Sequence, residues 1–469
     1  MSAAVTFDPQ DLACWCGGQW VPHQPQQIHA VIHDTKKITP GSLFVALRGA
    51  RFDGHDFVAQ AFEAGAGAAL ISRSRLDALR DVGIPLLVVE DSARALKELA
   101  TGYRVKLGGL SVVGVTGSTG KTTVKEMIAC LLGETHTTAR TKGNWNNDIG
   151  LPLSILAIPQ ASQVAVLELG INHPGEMAPL CDIAKPDWGV ITNVGPVHLE
   201  FFSSVEAIAR EKGELLRSLP AHGIAVISRD EPHESILRAC APGQVITTSV
   251  RGDVEADYRL VFDDGKTGNC KVEDRVEGGI HAFRLPLPGL HNRSNALLAI
   301  AVARGFGVTW AQMAAAFERF VGPPMRWERT VAGGVTFIND AYNANPVSMV
   351  AAIRTFREMT VSGRKWLVLG DMLELGASEV AEHHAIGQSL QEGDWAGLVT
   401  IGSLGAHIAA GAMTAGIPAE RVHSCEGLES SLEILRNCIA PGDAVLVKAS
   451  RGKHLDEVVV RLSGMLGKD

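Results

Sequence analysis

At 469 residues and 46% hydrophobic content the chain is long enough for about three domains of ~150 residues, each with its own core, and its 50 glycines and few aromatics suit α/β packing with many strand–helix turns. A net charge of −8 argues against general nucleic-acid binding. The eight cysteines are scattered without C-x-x-C spacing, so zinc and dithiol chemistry have no support, and no apolar run reads as a signal peptide or a membrane span; a soluble, cytoplasmic, monomeric protein without membrane insertion is expected.

Residues 1–106 read as a small α/β unit, with strands at 44–47, 68–71 and 84–89 and helices at 57–64 and 93–105. Its polar clusters are Asp34-Thr35-Lys36, Pro40-Gly41-Ser42 and Asp53-Gly54-His55-Asp56. Pro-Gly and Asp-Gly are turn dipeptides, and taken alone these clusters read as turns.

The second unit, 107–322, opens on the stretch around which the chain is organised. Leu110-Ser111-Val112-Val113-Gly114-Val115 is a short β-branched run, Thr116-Gly117-Ser118-Thr119-Gly120 a glycine-punctuated turn, and Lys121-Thr122-Thr123 the start of a helix with Val124, Met127, Ile128, Leu131 and Leu132 on its apolar side. Strand, glycine loop, Lys-Thr and helix make a phosphate-binding loop, in which backbone N–H groups and the helix N-terminus face phosphate oxygens. Lys121 would reach the β/γ-phosphates of ATP and the Thr122 hydroxyl a Mg²⁺ ion. The loop departs from the standard motif, since Val115 occupies the first glycine's place and the glycine sits at Gly117. A tight turn with a chance Lys-Thr is the bland alternative; the agreement of strand, loop and helix weighs against it.

The pattern then repeats. A strand at 164–167 ends at Glu168, another at 188–192 runs on to His198, and a third lies at 224–227. Alternating strands and helices imply a mostly parallel sheet with ligands beyond the carboxyl ends of its strands. Thr122, Glu168 and His198 all fall at such ends and together suit a second Mg²⁺ site. In a predicted helix at 203–219, Lys212 lies on the apolar stripe of Val205, Ile208, Ala209, Leu215 and Leu216. Either it snorkels, which ranks first on sequence alone, or a buried neutral amine has added CO₂ to become a carbamate. Asn144, Asn146 and Asn147 make an amide-rich loop, readable as a surface turn or as hydrogen-bonding groups for a polar substrate. Residues 253–284 look like a small antiparallel excursion, and Asn295, before a helix at 296–304, is a cap or an adenine reader.

The third unit, 323–469, reads as another doubly wound sheet. Strands at 335–338, 366–369, 398–401 and 444–447 end in polar groups, the first at Asp340-Ala341-Tyr342-Asn343 and the last at Lys448-Ala449-Ser450-Arg451, with helices at 429–438 and 455–466 among those between.

Over nearly its whole length the chain resembles the Mur ligases, ATP-dependent enzymes that extend the peptide stem of the peptidoglycan precursor. The resemblance is carried by TGSTGKTT at Thr116 to Thr123, Glu168-Leu169-Gly170, His198 followed by Lys212, His291-Asn292-Arg293-Ser294-Asn295-Ala296, and Arg326. The stretch Asp340 to Met349 is similar to the branch that adds D-alanyl-D-alanine, the MurF type, and the Asp-Asn-Pro-Arg motif of the diaminopimelate-adding branch is absent. The resemblance implies a small N-terminal UDP-sugar domain, a central ATP-binding domain and a C-terminal Rossmann-like domain for the incoming dipeptide. It implies that Glu168, His198 and Lys212 hold Mg²⁺ beside Thr122, Lys212 as a carbamate, which reverses the sequence-only ranking. It implies adenine contact by Asn295, ATP contact by Arg326 and Asp340, and sugar-pyrophosphate contact by Asn146 and Asn147. Thr35 sits in a cluster resembling the family's Asp-Ser-Arg uridine motif, with Thr35 and Lys36 in place of Ser and Arg; Asn343, Ser450 and Arg451 are the residues implied for the dipeptide. The expected partners are thus UDP-N-acetylmuramoyl-tripeptide and D-alanyl-D-alanine, joined through an acyl phosphate with ADP and phosphate released. The rivals are a Mur ligase that adds a single amino acid, a folylpolyglutamate-type ligase, which should lack the first unit, and a non-catalytic nucleotide switch, which has no need of Lys212 on an apolar stripe.

Overall fold

The computed structural model describes residues 5–49 and 51–467. Three sheets follow one another along the chain. The first has five strands in the spatial order Gln19–Val21, Leu86–Val89, Ala68–Ser72, Leu43–Val45, Val31–Ile32, parallel except for the first, which pairs antiparallel at the edge. Asp34 and Asp53 each cap a short 3₁₀ turn, accepting from Lys36 N at 3.0 Å and His55 N at 3.0 Å, so the predicted turns form, and the helix expected at 57–64 is a 3₁₀ turn Gly54–Phe57 running into Val58–Glu63.

The nine-stranded central sheet runs in the order Ile280–Arg284, Asn269–Asp274, Tyr258–Asp263, Gln244–Ser249, Ile224–Ser228, Trp188–Ile191, Ser111–Thr116, Val164–Glu168, Thr138–Arg140. Its last six members are parallel, the four inner ones (Ile224–Ser228, Trp188–Ile191, Ser111–Thr116 and Val164–Glu168) are buried almost throughout, as strands covered on both faces must be, and the first three form the antiparallel excursion. One face packs on the helix Lys121–Leu132 and on the helix Leu290–Gly305, which is buried all round from Asn295 to Ala303; the other packs on Val205–Arg217 and, through shared core residues, on Ser92–Lys106. The helix expected to begin at Ala296 in fact starts at Leu290. Gly289, at φ +92°, turns the chain into it, Asn292 donates its side-chain amide to Pro288 O at 2.7 Å, and Asn295 lies in the second turn, where it caps nothing.

The third sheet has the order Glu328–Ala332, Val335–Asn339, Ala444–Lys448, Lys365–Gly370, Gly397–Ile401, Val422–Cys425. Its antiparallel edge hairpin turns on Gly333 and Gly334, both at positive φ (+55° and +73°), which a two-residue hairpin turn requires. The strand Glu328–Ala332 was not predicted, although a Gly-Gly pair between β-branched residues is its sequence signal.

Tyr103, on the helix that leads from the first sheet to the second, is fully buried, and its hydroxyl donates to Ile158 O at 2.7 Å; burial pushes the phenol up to about 12. Tyr103→Phe leaves that carbonyl without its donor in a dry core, and a stability loss of about 1–2 kcal/mol is expected by denaturant titration, without change in the slope of the transition.

Candidate functional site

The site grows from the register of the central sheet. Val115 pairs with Glu168, and Thr116 with Ile191, so the ends of three parallel strands open onto one rim. At Gly117 a Cβ would lie 1.8 Å from Thr192 Oγ1, and at Gly120, at φ +79°, it would lie 2.7 Å from Asn295 Oδ1; no side chain fits at either. The amides of Ser118 and Thr119 are taken by Asn193, through its carbonyl and its Oδ1, both at 2.9 Å. The donors that remain for an anion are therefore those of the helix N-terminus at Lys121–Thr123, which have no intrahelical partner. Asn193 is a loop-setting residue that sequence reading passed over as part of a strand end.

Two lysines share one acceptor here. Lys121 Nζ donates to Gly117 O at 2.8 Å, and Lys212 Nζ donates to the same oxygen at 3.1 Å. Lys212 is 1% exposed, so it does not snorkel: the apolar stripe carries it inward. Burial, and then the neighbouring Lys121 ammonium, hold the Lys212 amine well below the usual lysine range, with Glu211 opposing. Enclosure lowers Lys121 as well, against the pull of Glu168.

Glu168 is 2% exposed and fully engaged. It accepts from Thr122 Oγ1 at 2.9 Å and from Asn146 Nδ2 at 2.7 Å, and its own amide donates to Thr141 Oγ1 at 3.0 Å. Lys125, also missed in the sequence, lies buried behind it with Nζ at 3.8 Å from Glu168, 3.0 Å from Glu126 and 2.8 Å from Thr141 O. Its only signal was a lysine one turn beyond Lys121 on a packed helix. Asn147 caps the next helix by accepting from Gly150 N at 2.9 Å. Among the described residues no three or more His, Cys, Asp or Glu side chains gather as a metal cluster. The neighbouring oxygens of Thr122 and Glu168 still suit a hard cation that takes the rest of its shell from phosphate and water, as Mg²⁺ does.

The third sheet closes the site from the other side. Arg326 donates from Nη2 to Thr122 Oγ1 at 3.0 Å while its guanidinium lies 4.1 Å over the Tyr342 ring. Asp340 accepts from Trp327 N at 3.1 Å and pairs with Lys448 Nζ at 2.7 Å; the same ammonium donates to Asn343 O at 3.0 Å. Lys448 was noted only as a strand terminus, yet it is the 3% exposed cation that fixes the whole Asp340–Asn343 turn. His198 Nδ1 lies 2.6 Å from Glu374 Oε2, a contact from the central sheet to the third.

Beside these groups lies a cavity of about 850 Å³, whose wall does not include Thr122 or Lys212; it is at the large end of ligand pockets and roomy enough for a nucleotide with part of a second substrate. Its wall includes Ser118, Thr119, Gly120, Lys121 and Thr123 of the loop, then Asn146, Asn147, Glu168, His198 and Asn295, then Arg326, Asp340, Asn343, Lys448 and Arg451. His291 shares the wall as a neutral imidazole, its pKa pushed down to about 4 by burial. Ser450 does not share it: its hydroxyl is buried, donating to Ala344 O at 3.2 Å and accepting from Leu373 N at 2.9 Å. Thr35 is also outside the wall, in the capped turn of the first sheet; its neighbour Lys37 reaches the asparagine loop, with its ammonium 5.2 Å from the Trp145 ring centre.

Three family models match in chain order: the Mur ligase family catalytic domain at residues 27–104, the Mur ligase middle domain at 115–303, and the Mur ligase glutamate ligase domain at 325–451. The chain is 39% identical over 433 residues to the UDP-N-acetylmuramoyl-tripeptide–D-alanyl-D-alanine ligase of Bacillus subtilis, covering 92% of each. In three dimensions it is similar to MurF from Acinetobacter baumannii, with TM-score 0.86, 30% identity and 98% and 99% of the two chains covered. It is likewise similar to MurF ligase from Thermotoga maritima in complex with ADP, with TM-score 0.77, 30% identity and 93% and 97% covered.

Proposed function

The chain belongs to the Mur ligase family, and we propose that it joins D-alanyl-D-alanine to UDP-N-acetylmuramoyl-tripeptide at the expense of ATP, in the assembly of the peptidoglycan precursor. The observation that carries this reading is the single cavity on which the phosphate loop, Glu168 and the Asp340–Asn343 turn converge, in a chain 39% identical to a relative of that name. Neither a single-residue-adding Mur ligase nor a folylpolyglutamate-type enzyme is favoured, since the likeness at 30% identity or above is to enzymes of the dipeptide-adding branch.

An amide from a carboxylate and an amine needs an activated carboxylate. The γ-phosphoryl group of ATP passes to the terminal carboxylate of the tripeptide, the bond to the β-phosphate breaks, and ADP leaves. The free amine of D-alanyl-D-alanine attacks the acyl phosphate carbon, loses a proton, and phosphate departs from the tetrahedral intermediate. Phosphoryl transfer of this kind depends on positioning and charge neutralisation. Lys121 stands where the β/γ-phosphates of a nucleotide on the loop fall, with Arg326 one hydrogen bond from Thr122. Asn295, packed against Gly120 of the loop, is the residue read as the adenine contact. Asp340 orders the turn that carries Asn343. Thr122 and Glu168 are the residues that would hold Mg²⁺, with His198 and a carbamate on Lys212 as further ligands by family resemblance; the ion would supply charge neutralisation at the phosphates. Asn146 is fixed by Glu168 at the edge where the sugar-pyrophosphate enters, Asn147 beside it, and Thr35 reads the uridine end from the first domain. Arg451 and Asn343 clamp the carboxylate of the dipeptide by charge-assisted hydrogen bonds, with Ser450 holding the loop beneath them. The three domains, bounded near residues 106 and 322, close to keep water from the acyl phosphate.

The test is competition among acceptors. With ATP, Mg²⁺ and the UDP-sugar tripeptide, D-alanyl-D-alanine is expected to stimulate phosphate release and to outcompete D-alanine, L-lysine and meso-diaminopimelate by at least roughly 10²-fold in kcat/KM, because a site built for a carboxylate at dipeptide distance leaves its clamp unpaired with a shorter acceptor. Equal or better use of a single amino acid overturns the acceptor assignment; absence of any acceptor-stimulated phosphate release overturns the ligase reading itself.

A further inference from the structure

Six non-glycine residues among those described adopt positive φ, and four of them sit where the third sheet meets the central one: His198 (+54°), Met325 (+55°), Trp327 (+58°) and Glu374 (+65°). Met325 and Trp327 flank Arg326, which reaches Thr122 across that junction. His198 and Glu374 meet there directly, Nδ1 to Oε2 at 2.6 Å. Left-handed backbone at non-glycine positions is unfavourable and persists where the surroundings over-determine it. Here it is spent on two side-chain contacts that link the third domain to the phosphate-loop side of the cavity.

The chemistry of the second contact is specific. A carboxylate on one imidazole nitrogen fixes the tautomer with the proton on Nδ1 and leaves Nε2 as the lone-pair atom, the arrangement in which a histidine is held ready to ligate a cation. Among the described residues no hydrogen-bond partner reaches His198 Nε2, and His198 shares the cavity wall with Glu168. Glu374 itself is not in that wall and is half-exposed, so it touches His198 without touching the reacting groups. It comes from the loop after the strand Lys365–Gly370, 176 residues away in the chain.

We propose that Glu374 is a positioning residue of the third domain that fixes the His198 ring through Nδ1, so that Nε2 is presented to the cation at the phosphate loop only when the third domain is seated on the central one. The inference rests on the reading of Thr122, Glu168 and His198 as the Mg²⁺ residues, and it ties cation binding to domain seating: without the carboxylate the ring rotates, and the ligand set loses its imidazole.

The full-length chain and its Glu374→Ala, Glu374→Gln, His198→Ala and double His198→Ala/Glu374→Ala variants are compared. Mn²⁺ binding in the presence of ADP is followed by electron paramagnetic resonance, with no turnover and no acceptor needed; kcat and the Mg²⁺ concentration giving half-maximal rate are read separately. Glu374→Ala is expected to weaken ADP-dependent Mn²⁺ binding about 10- to 100-fold, the range for groups that orient a metal ligand, and to raise the Mg²⁺ requirement in step while leaving the thermal midpoint in place. Glu374→Gln, which keeps an acceptor oxygen, recovers part of the loss. In the His198→Ala background, removal of Glu374 is expected to do nothing further. Unchanged Mn²⁺ binding in Glu374→Ala, or an equal additional loss in the His198→Ala background, overturns the proposal. Failure of the broader ligase reading is seen elsewhere, in the absence of acceptor-stimulated phosphate release by the unaltered chain.

Discussion

Lys121→Ala is expected to lower acceptor-dependent phosphate release by roughly 10²–10³-fold, the usual effect of removing one preorganised charge from a transition state, while leaving the fold as stable as before. The two halves of that expectation come from different observations. In the folded chain Lys121 makes one side-chain hydrogen bond, to Gly117 O at 2.8 Å, and among the described residues no carboxylate lies within ion-pair distance of it. Loss of one such bond costs about 1 kcal/mol. Against this, the variant removes an ammonium that bears on the buried Lys212. On the proposed placement of ATP, the same amine would stand against phosphate charge that grows on the leaving oxygen, in a cavity where water screens it little. Circular dichroism and a thermal scan check the fold; steady-state phosphate release checks the chemistry. Near-normal turnover would remove the phosphate-loop assignment and with it the placement of ATP.

That assignment was legible in the sequence because everything it needs lies within twelve residues of chain: a β-branched strand, two glycines whose Cβ positions are occupied by Thr192 and Asn295, and a helix starting at Lys121. The parallel core of the central sheet was legible for the same reason, since period and turn chemistry are local. What was not legible is what the fold assembles from afar. Lys448 meets Asp340 across 108 residues, and His198 meets Glu374 across 176. No spacing rule announces either pair. The asparagine loop shows the intermediate case: its amides were singled out for a polar substrate, and in the fold Asn146 is bonded to Glu168 and Asn147 to a helix N-terminus, so their nearest partners are protein groups. Asn295 misled because a local rule, the asparagine cap, was applied where the positive φ of Gly289 had already started the helix.

Lys212 is the residue on which sequence pattern and family resemblance pulled apart, and it supplies the second large effect. The stripe sends it inward, and burial with Lys121 close by shifts the balance toward the neutral amine. A neutral amine adds CO₂: the nitrogen–carbon bond forms, one N–H proton is released, and a neutral group becomes an anion. The change would set a negative charge beside the Lys121 ammonium, which shares the Gly117 carbonyl with Lys212. Lys212→Ala is therefore expected to reduce turnover by at least about 10²-fold, as loss of a metal-supporting group does, and short carboxylates or bicarbonate are expected to restore part of it by occupying the vacated space. Lys212→Met keeps the volume but not the chemistry, and no carboxylate rescue is expected there. The pH dependence follows from the direction of the shift. A lysine depressed in the fold but ordinary in the unfolded chain binds more protons when unfolded, so the unmodified amine costs stability below its unfolded pKa of about 10.4, and this cost shrinks as pH rises toward that value. In carbon-dioxide-free buffer the unaltered chain is expected to gain stability from pH 7 to pH 9 relative to Lys212→Met, and the difference is expected to diminish when bicarbonate is supplied. A mass spectrum of the native chain that never shows the added 44 Da of CO₂ (a figure from its formula), together with full activity in Lys212→Met, would return Lys212 to the role of a buried hydrogen-bond donor to Gly117.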